Sequence, residues 1–293
     1  MFIKNSKKLY KPKNILLLDK TYPKKSLGQN FIVDLKVLDR MSEIAELSKN
    51  DEVLEIGAGL GTLTTYLAVR AKRVVAIEKD KRLFESMRSS IYHLPNLELI
   101  LGDALKINFR EFFTGNKMKV ISNLPYSISS PILIKLLEQR DIFSLLIIMI
   151  QREVGERITA KPGGRDYGSI SVLLQTFFDI SIELLVHPEA FWPKPKVDSV
   201  VLKLVPLTNP KINIRDEKLF KKIIRAAFSS RRKILANSLR SLFPKNEVEE
   251  ILKTAEIDRK RRAETLSIEE FGRLTEEALN ILSIPPEVNT SCR

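Results

Sequence analysis

Four consecutive residues, Asn123-Leu124-Pro125-Tyr126, have the chemistry to hold a flat nucleobase by its exocyclic amine. The Asn side-chain oxygen and a carbonyl held in place by the Pro can each accept a hydrogen from an NH2 group, and the Tyr ring can stack on the base. A strand-like run, residues 119–122, comes before them and a helix-like run follows. Because Asn-x-Pro-Tyr also occurs in ordinary turns, the motif gains its weight from what precedes it in the chain.

A glycine-rich turn follows the apolar run 53–56 and leads into a helical stretch at 62–71. It reads Glu55-Ile56-Gly57-Ala58-Gly59-Leu60-Gly61, so Thr62 stands where a dinucleotide fingerprint needs its third glycine. Glycines after a strand let the backbone pass close to a ligand, and the start of a helix offers free N–H groups. This form resembles the cofactor loop of class I S-adenosylmethionine-dependent methyltransferases.

Two carboxylates stand at the ends of the next two strand-like runs. The run 73–77 ends in Glu78, which can accept both hydrogens of a ribose diol, and the run 97–101 ends in Gly102-Asp103-Ala104, where Asp103 can accept a hydrogen from the cofactor's adenine amine. Single acids are usually solvated loop residues. Here, however, three successive strands, about 25 residues apart, each end in residues that can bind a ligand. This arrangement favours a binding site at the carboxyl edge of one sheet over solvated loop residues.

Composition excludes several classes of site. The single cysteine, Cys292, rules out an internal disulfide and a cysteine-cluster metal site, and the two histidines, His93 and His187, are too few for a zinc centre. We therefore expect no metal. No run approaches 18 apolar residues, and the first residues lack the pattern of a signal or transit peptide, so we expect a cytoplasmic protein.

The net charge of +13 is unevenly distributed along the chain. Residues 1–25 hold eight Lys and one Asp, whereas residues 26–205 are nearly neutral with 23 basic and 22 acidic groups. The stretch 218–245 carries nine basic residues and no acid. Solvated helix faces normally mix signs, so this stretch favours a polyanion partner over a merely soluble surface. The predicted RNA-binding residues are Lys221, Lys222, Arg225, Arg231, Arg232 and Lys233.

The alternation of strand and helix patterns predicts an α/β fold, a doubly wound, mostly parallel seven-stranded sheet followed by a small all-helical domain. We place strands at 53–57, 73–78, 97–102, 119–122, 143–150, 181–187 and 198–205. No helix fits between the last two strands, so they should pair antiparallel at one edge. After residue 210 only helices are predicted, at about 216–229, 231–242, 246–255 and 267–282. The predicted domains are a mobile basic arm (1–22), a methyltransferase domain (23–207), a helical RNA-binding domain (208–283) and a disordered tail (284–293).

Over residues 22–275 the chain resembles the ribosomal RNA adenine N6,N6-dimethyltransferases of the small subunit. Eight ordered blocks carry this resemblance. They are the four motifs above together with Lys25-Ser26-Leu27-Gly28-Gln29-Asn30-Phe31, Gln151-Arg152-Glu153-Val154, Phe191-Trp192-Pro193-Lys194-Pro195-Lys196-Val197-Asp198-Ser199 and Phe228-Ser229-Ser230-Arg231-Arg232-Lys233. The resemblance implies S-adenosylmethionine as cofactor and small-subunit ribosomal RNA in a pre-ribosomal particle as partner, with the enzyme acting as a monomer. The N-terminal arm is the main departure from the family pattern.

The resemblance also implies roles for individual residues. Cofactor contacts are expected from Gln29, Asn30, Ile32, Gly57, Gly59, Glu78, Asp103, Ala104 and Asn123. Asn123, Leu124, Pro125 and Tyr126 would hold the target adenine, and Phe191 would face Tyr126 across it. The alternative for Phe191 is a buried aromatic at the sheet edge.

Three other functions remain open on the sequence alone. A large-subunit ribosomal RNA methyltransferase of the antibiotic-resistance type would have the same pocket and another RNA. The chain could also act chiefly as an RNA-binding factor in ribosome assembly. A DNA adenine methyltransferase is disfavoured because those enzymes usually carry Asp or Asn before Pro-Pro-Tyr.

Overall fold

The computed structural model describes Pro23, residues 29–91 and residues 93–283. The predicted arm at 1–22, the predicted tail at 284–293 and residues 25–28 of the first family block lie outside the described residues. Backbone contacts divide the chain into two compact units. The sheet unit extends through Gly155 and resumes at Asp179–Pro206, and the helical unit contains Glu156–Phe178 and the residues from Leu207 onward. This grouping differs from the predicted 23–207 domain in assigning Glu156–Phe178 to the helices.

The main sheet has seven strands, as the alternating pattern predicts, in the order β4-β3-β2-β5-β6-β9-β7. Strands β2 to β6 pair in parallel, and β9 pairs antiparallel with β6. A separate two-stranded sheet pairs β1 with β8, which the sequence analysis missed. The strands are β1 Phe31–Ile32, β2 Glu52–Ile56, β3 Arg73–Glu78, β4 Leu97–Leu101, β5 Met118–Asn123, β6 Phe143–Gln151, β7 Phe178–Val186, β8 Phe191–Trp192 and β9 Ser199–Pro206.

Helices cover the sheet and build the second unit. Those that begin in the sheet unit are α1 Leu35–Ile44, α2 Thr62–Ala68, α3 Lys81–Ile91, α4 Ser129–Glu138 and α5 Arg152–Ile158. The others are α6 Ser169–Phe177, α7 Glu217–Ala227, α8 Leu235–Leu239, α9 Lys245–Thr254 and α10 Ile268–Leu282. None of these helices is long and apolar enough to cross a membrane.

The sheet core follows from the apolar runs. All five residues of β2 are buried, as expected for a parallel strand with helices on both of its faces. The order of the strands reverses between β2 and β5, which are hydrogen-bonded neighbours. Ligands of open α/β sheets bind where the strand order reverses. The loops after Ile56 and Asn123 leave the sheet side by side at this point.

The helix predicted over 231–242 is wrong in its extent, since α8 covers only Leu235–Leu239. Lys233 N–H donates to the Ser230 carbonyl in a turn, and Ile234 has an extended backbone. The Leu235 N–H, at the start of α8, donates to the Arg261 carbonyl at 2.7 Å rather than to a carbonyl of a preceding helical turn. The helix therefore begins at Leu235. Arg231, Arg232 and Lys233 therefore lie in an exposed turn rather than on a helix.

Candidate active site

The glycine turn after β2 lies tightly against its neighbours. Gly57, Gly59 and Gly61 have positive φ angles of 80°, 62° and 77°. A Cβ on Gly57 would lie 3.1 Å from Cδ of Pro125, and one on Gly59 would lie 3.0 Å from the Phe31 ring. Both the left-handed backbone and the close approach require glycine here. The glycine turn thus packs against the Asn-Leu-Pro-Tyr loop on one side and against Phe31 on the other.

Glu78, at the tip of β3, holds this turn from the other side. Its Oε2 accepts the Gly59 N–H at 2.8 Å and its Oε1 accepts the Asp80 N–H at 2.7 Å. Burial raises the pKa of Glu78, although both backbone donors act in the opposite direction. Each carboxylate oxygen can accept a second hydrogen, so the predicted ribose contact stays compatible with these bonds and stays a prediction.

Asp103 follows β4 and is paired with a residue that the sequence analysis did not select. Lys79 Nζ lies 2.8 Å from Asp103 Oδ2, and the Leu105 N–H donates to Oδ1 at 3.0 Å. The hydrogen bond from Lys79 holds the pKa of Asp103 below its usual range. Ala104, beside it, is buried. Both residues line the same cleft as Glu78.

Asp80 is a second residue that sequence reasoning missed. It is buried, and its carboxylate accepts hydrogens from Arg82 at 2.7 and 3.2 Å and from Gln29 Nε2 at 3.3 Å. The Arg82 guanidinium lowers the pKa of Asp80 to about 2. Gln29 is thus held in place by an ionised carboxylate. The sequence does show that Asp80 lies two residues beyond the end of β3. It does not show that Gln29, 51 residues earlier in the chain, donates to this carboxylate.

Asn123 is oriented by a backbone carbonyl. Its Nδ2 donates to the Asn30 carbonyl at 3.0 Å, whereas its Oδ1 is buried and has no hydrogen-bond partner among the described residues. An unpaired buried acceptor typically costs about 1–3 kcal/mol, and a ligand in the cleft that donates a hydrogen to this oxygen would remove that cost. The next peptide is fixed because the Leu124 N–H donates to the Met149 carbonyl at 3.1 Å.

Tyr126 is tied to the antiparallel strand of the sheet. Its hydroxyl lies 2.7 Å from Oγ of Ser199, the first residue of β9, and burial raises its pKa. Ser199 is fully buried, so this bond fixes one end of a half-buried ring. The arrangement leaves the ring positioned at the cleft rather than free to rotate away from it.

Phe191 is not among the residues that line the cleft. It is 3% exposed, belongs to the main apolar cluster and lies opposite Ile32 in the β1–β8 pair. This is the buried sheet-edge aromatic that the sequence analysis gave as the alternative. The ring would have to leave the cluster to stack on a base, because in the structure both of its faces are covered.

All the other predicted cofactor and target residues line one open cleft. Its volume, up to the bulk solvent, is about 1030 Å³. These residues are Gln29, Asn30, Ile32, Gly57, Gly59, Glu78, Asp103, Ala104, Asn123, Leu124, Pro125 and Tyr126. The lining carries three carboxyl groups, Glu55, Glu78 and Asp103, and one ammonium, Lys79. In a chain of net charge +13, this local excess of acid suits a cationic ligand and disfavours a bare polyanion.

Besides Asn123, two other side chains on the cleft wall each have one oxygen without a hydrogen-bond partner among the described residues. These are Oε2 of Glu55, on β2, and Oγ1 of Thr62, the first residue of α2. Burial raises the pKa of Glu55 to about 8, with the nearby Glu78 acting in the same direction. Glu55 is therefore protonated at neutral pH in the ligand-free protein, and any cation brought beside it would favour its ionised form.

The predicted RNA-binding residues all lie in the helical unit. Lys221 is mostly buried and paired with Glu217 at 2.7 Å. The other five are exposed, and within the described part of the chain they form no ion pair. These five are Lys222, Arg225, Arg231, Arg232 and Lys233. The structure thus removes Lys221 from the free basic surface and leaves five available cations. No group of three or more His, Cys, Asp or Glu within the described ranges is arranged to hold a metal ion.

A family model described as ribosomal RNA adenine dimethylase matches residues 21–279. The chain belongs to this family. Its sequence is 43% identical over 258 residues to ribosomal RNA small subunit methyltransferase A of Geobacter metallireducens, covering 86% of this chain and 94% of the relative. It is 47% identical over 260 residues to the protein of that name from Clostridium botulinum, covering 88% and 94%.

Solved structures of two relatives share the fold of this dimethylase. A dimethyladenosine transferase from Plasmodium falciparum matches with a TM-score of 0.72 and 27% identity, covering 85% of this chain and 98% of that one. The 23S rRNA methyltransferase ErmE matches with a TM-score of 0.61 and 27% identity, covering 85% and 99%. The fold alone therefore does not separate enzymes that act on different ribosomal RNAs, and the family membership identifies the chain as an adenine-methylating enzyme.

Proposed function

We propose that this enzyme transfers methyl groups from S-adenosylmethionine to the N6 amines of adenosines near the 3′ end of small-subunit ribosomal RNA, giving N6,N6-dimethyladenosine. The observation that carries the proposal is the buried, unpaired Oδ1 of Asn123 on the wall of an acidic cleft. An exocyclic amine donates the hydrogen that this atom lacks. The sequence relatives named small subunit methyltransferase A favour that subunit as the source of the RNA.

The residues of the cleft fit the proposed cofactor. When bound, S-adenosylmethionine supplies a methyl group activated by a sulfonium, with a neutral thioether as the leaving group. Glu78 and Asp103 give the cleft negative charge that suits a sulfonium and an ammonium, and a cation bound beside Glu55 would favour the ionised form of that carboxyl as well. The left-handed turn at Gly57 and Gly59 packs closely against Pro125 and Phe31, and this packing holds the backbone of the turn at the wall of the cleft.

Asn123 would do most of the positioning. Its donation to the Asn30 carbonyl turns its amide so that Oδ1 is the free acceptor for the target amine. A purine amine is a poor nucleophile because its lone pair is conjugated with the ring. Alignment of the reacting atoms and acceptor dipoles for the positive charge that develops on nitrogen therefore carry the catalysis. The carbonyl of Leu124 would be the second acceptor, and the peptide that precedes it is held by the hydrogen bond from the Leu124 N–H to the Met149 carbonyl.

The target base would be splayed out of its stack to reach the cleft, since an adenine inside a helix does not expose N6 to a pocket. Tyr126 offers a ring held by Ser199, and stacking on such a ring is worth about 1–3 kcal/mol per base. Both turnovers use the same acceptor, because one N–H remains after the first methyl. We propose that the substrate is the RNA within a pre-ribosomal particle and that the enzyme acts on it as a monomer.

The test uses unmethylated small ribosomal subunits, tritiated S-adenosylmethionine and nucleoside analysis of the digested RNA. We expect N6,N6-dimethyladenosine in small-subunit RNA, and labelling at least about a hundredfold slower with the Asn123→Ala variant at equal enzyme concentration. Label only in large-subunit RNA would favour the enzyme type represented by the ErmE likeness and overturn the choice of subunit. Cofactor binding without any label would favour an RNA-binding role in assembly and overturn the proposal.

A further inference from the structure

A basic cleft in the helical unit joins cations from two segments of the chain that are separate in sequence. Its lining includes Arg240, just after α8, Lys245, the first residue of α9, and Arg259 and Lys260 in the turn before α10. The empty space of this cleft is about 690 Å³ counted out to open solvent. The predicted RNA-binding stretch stops at Lys245, so the turn that supplies Arg259 and Lys260 was not part of it.

The charge of this cleft is poorly compensated within the protein. Glu249 is the one acidic residue in its lining, and its carboxylate lies 3.8 Å from Arg259 with both side chains largely exposed. Such a pair contributes little. Arg240, Lys245 and Lys260 form no ion pair among the residues that the structure describes. Four cations facing one acid repel each other and favour an anion between them.

Neighbouring acids do not supply that anion. Asp258 Oδ1 accepts the backbone N–H of Lys260 at 2.9 Å, and Asp258 does not line the cleft. Glu270 is bound to the Arg261 guanidinium through both of its oxygens. Asp258 and Glu270 are therefore used to shape the turn rather than to neutralise Arg259 and Lys260.

The frame behind the cations is held by backbone bonds and apolar packing. The Leu235 N–H donates to the Arg261 carbonyl at 2.7 Å, which joins the start of α8 to the turn. The Arg261 guanidinium donates to the Thr265 carbonyl at 2.6 Å, and the Ile257 N–H donates to the Leu252 carbonyl at 2.9 Å. Leu235, Leu252 and Ile257 are buried. The backbone that carries the cationic side chains is therefore held in place before a ligand binds. This reduces the conformational entropy that the protein loses on binding.

We propose that this cleft binds the sugar-phosphate backbone of RNA and forms a second phosphate contact surface beside the turn at Arg231–Lys233. An open cleft with exposed cations suits an extended polyanion, whereas small-ligand pockets are more enclosed and mostly apolar. The Arg guanidinium matches phosphate geometry with two parallel donors, and Asn237 in the lining adds an amide. The proposal rests on the proposed function only for the choice of RNA as the polyanion.

The test compares two variants of the full chain that lose the same charge. Arg240→Gln with Lys260→Gln removes two cleft cations. Lys117→Gln with Lys253→Gln removes two exposed lysines outside the cleft. Binding of protein-free small-subunit ribosomal RNA is measured at several salt concentrations. We expect the cleft variant to lose about tenfold in affinity and about 1.4 in the slope of log K against log salt, at about 0.7 per lost phosphate contact.

Two further measurements keep the outcomes distinct. The charge-keeping swap Arg240→Lys with Lys260→Arg should bind RNA nearly as the parent does, and all variants should keep the parent's unfolding midpoint. Equal RNA binding by the cleft variant and the lysine control would overturn the proposal. Loss of binding to intact subunits but not to protein-free RNA would also overturn it, in favour of a ribosomal protein partner. If the parent binds RNA through the cleft but methylates no small subunits, the cleft stands and the proposed function fails.

Discussion

The active-site cleft and the basic surfaces of the helical unit use charge in opposite ways. In the cleft, Glu55 and Glu78 are buried, and burial raises the pKa of both. In the helical unit, Arg231, Arg232 and Lys233 are exposed and lack ion pairs among the described residues. Buried charge costs folding free energy, whereas exposed charge costs little. Changes in the cleft should therefore alter catalysis and stability, and changes on the surface should alter RNA affinity alone.

The sharpest test of this difference is Asn123→Ala. The change removes the unpaired acceptor and the bond to the Asn30 carbonyl without touching a basic residue. Loss of one preorganised acceptor should lower kcat by about 10²- to 10³-fold. RNA affinity should stay within twofold of the parent, as measured by filter binding in the same buffer. A variant that methylates at more than a tenth of the parental rate would remove Asn123 from the catalytic role.

Glu55→Gln tests the stability cost on the cleft side. The folded pKa of Glu55 is about 8 against an ordinary 4.5, so the folded state binds the proton more tightly than the unfolded chain. Its stabilising contribution is full below pH 4.5 and is lost as pH rises through about 8. At about 1.4 kcal/mol for each unit of pKa difference, the loss amounts to a few kcal/mol.

Chemical denaturation of the ligand-free protein at pH 5 and pH 8 measures this effect. The parent should lose more unfolding free energy between the two values than Glu55→Gln, because the amide does not ionise. Glu98→Gln is a suitable control, since that carboxylate is partly exposed and paired with Arg73. An identical pH dependence in the parent and in Glu55→Gln would show that Glu55 does not titrate in this range.

The exposed basic turn of the helical unit is tested by a triple variant, Arg231→Gln, Arg232→Gln and Lys233→Gln. Neutralising three free cations should lower the salt slope of RNA binding by about 2, since each phosphate contact contributes about 0.7. Cofactor affinity, measured by calorimetry, should not change. Lys49, Lys117 and Lys253, which are exposed and unpaired among the described residues, give a control triple of equal charge. Equal RNA binding by both triples would show that only net charge matters.

Much of the fold could be predicted because it follows from local patterns. Apolar runs ending in Gly57, Glu78 and Asp103 define three parallel strands, and parallel strands place their carboxyl ends at one edge. The pairing of Ile32 with Phe191 was missed because a two-residue strand has no periodicity and its partner lies far away in sequence. The family resemblance implied a stacking role for Phe191, but its ring is buried, which was the alternative given for it.

The composition of the site was easier to predict than its hydrogen bonds. Residue types identify Asn123 and Glu78, but no spacing shows that Asn123 donates to Asn30 or that Glu78 holds the Gly59 N–H. Asp80 was overlooked because its partner Gln29 is brought near only by the folded chain. Side-chain orientation depends on contacts between distant segments, and a single sequence does not record them.

The smallest predicted effect lies at the point where the cleft meets β9. Ser199→Ala removes the 2.7 Å bond to the Tyr126 hydroxyl and leaves that half-buried group without its partner. Loss of one such bond costs about 1 kcal/mol. We expect kcat on small subunits to fall several-fold, because the ring is no longer held in one position, while RNA affinity is unchanged.

A double-mutant cycle with Tyr126→Phe separates positioning from packing. Tyr126→Phe removes the hydroxyl but keeps the stacking ring, and Ser199→Ala should then add little, since the bond between the two side chains is already gone. If the bond positions the ring, the two single variants and the double variant will have similar kcat values. Strictly additive losses would show that Ser199 and Tyr126 act independently. They would also place the contribution of Ser199 in the packing of β9 rather than in the cleft.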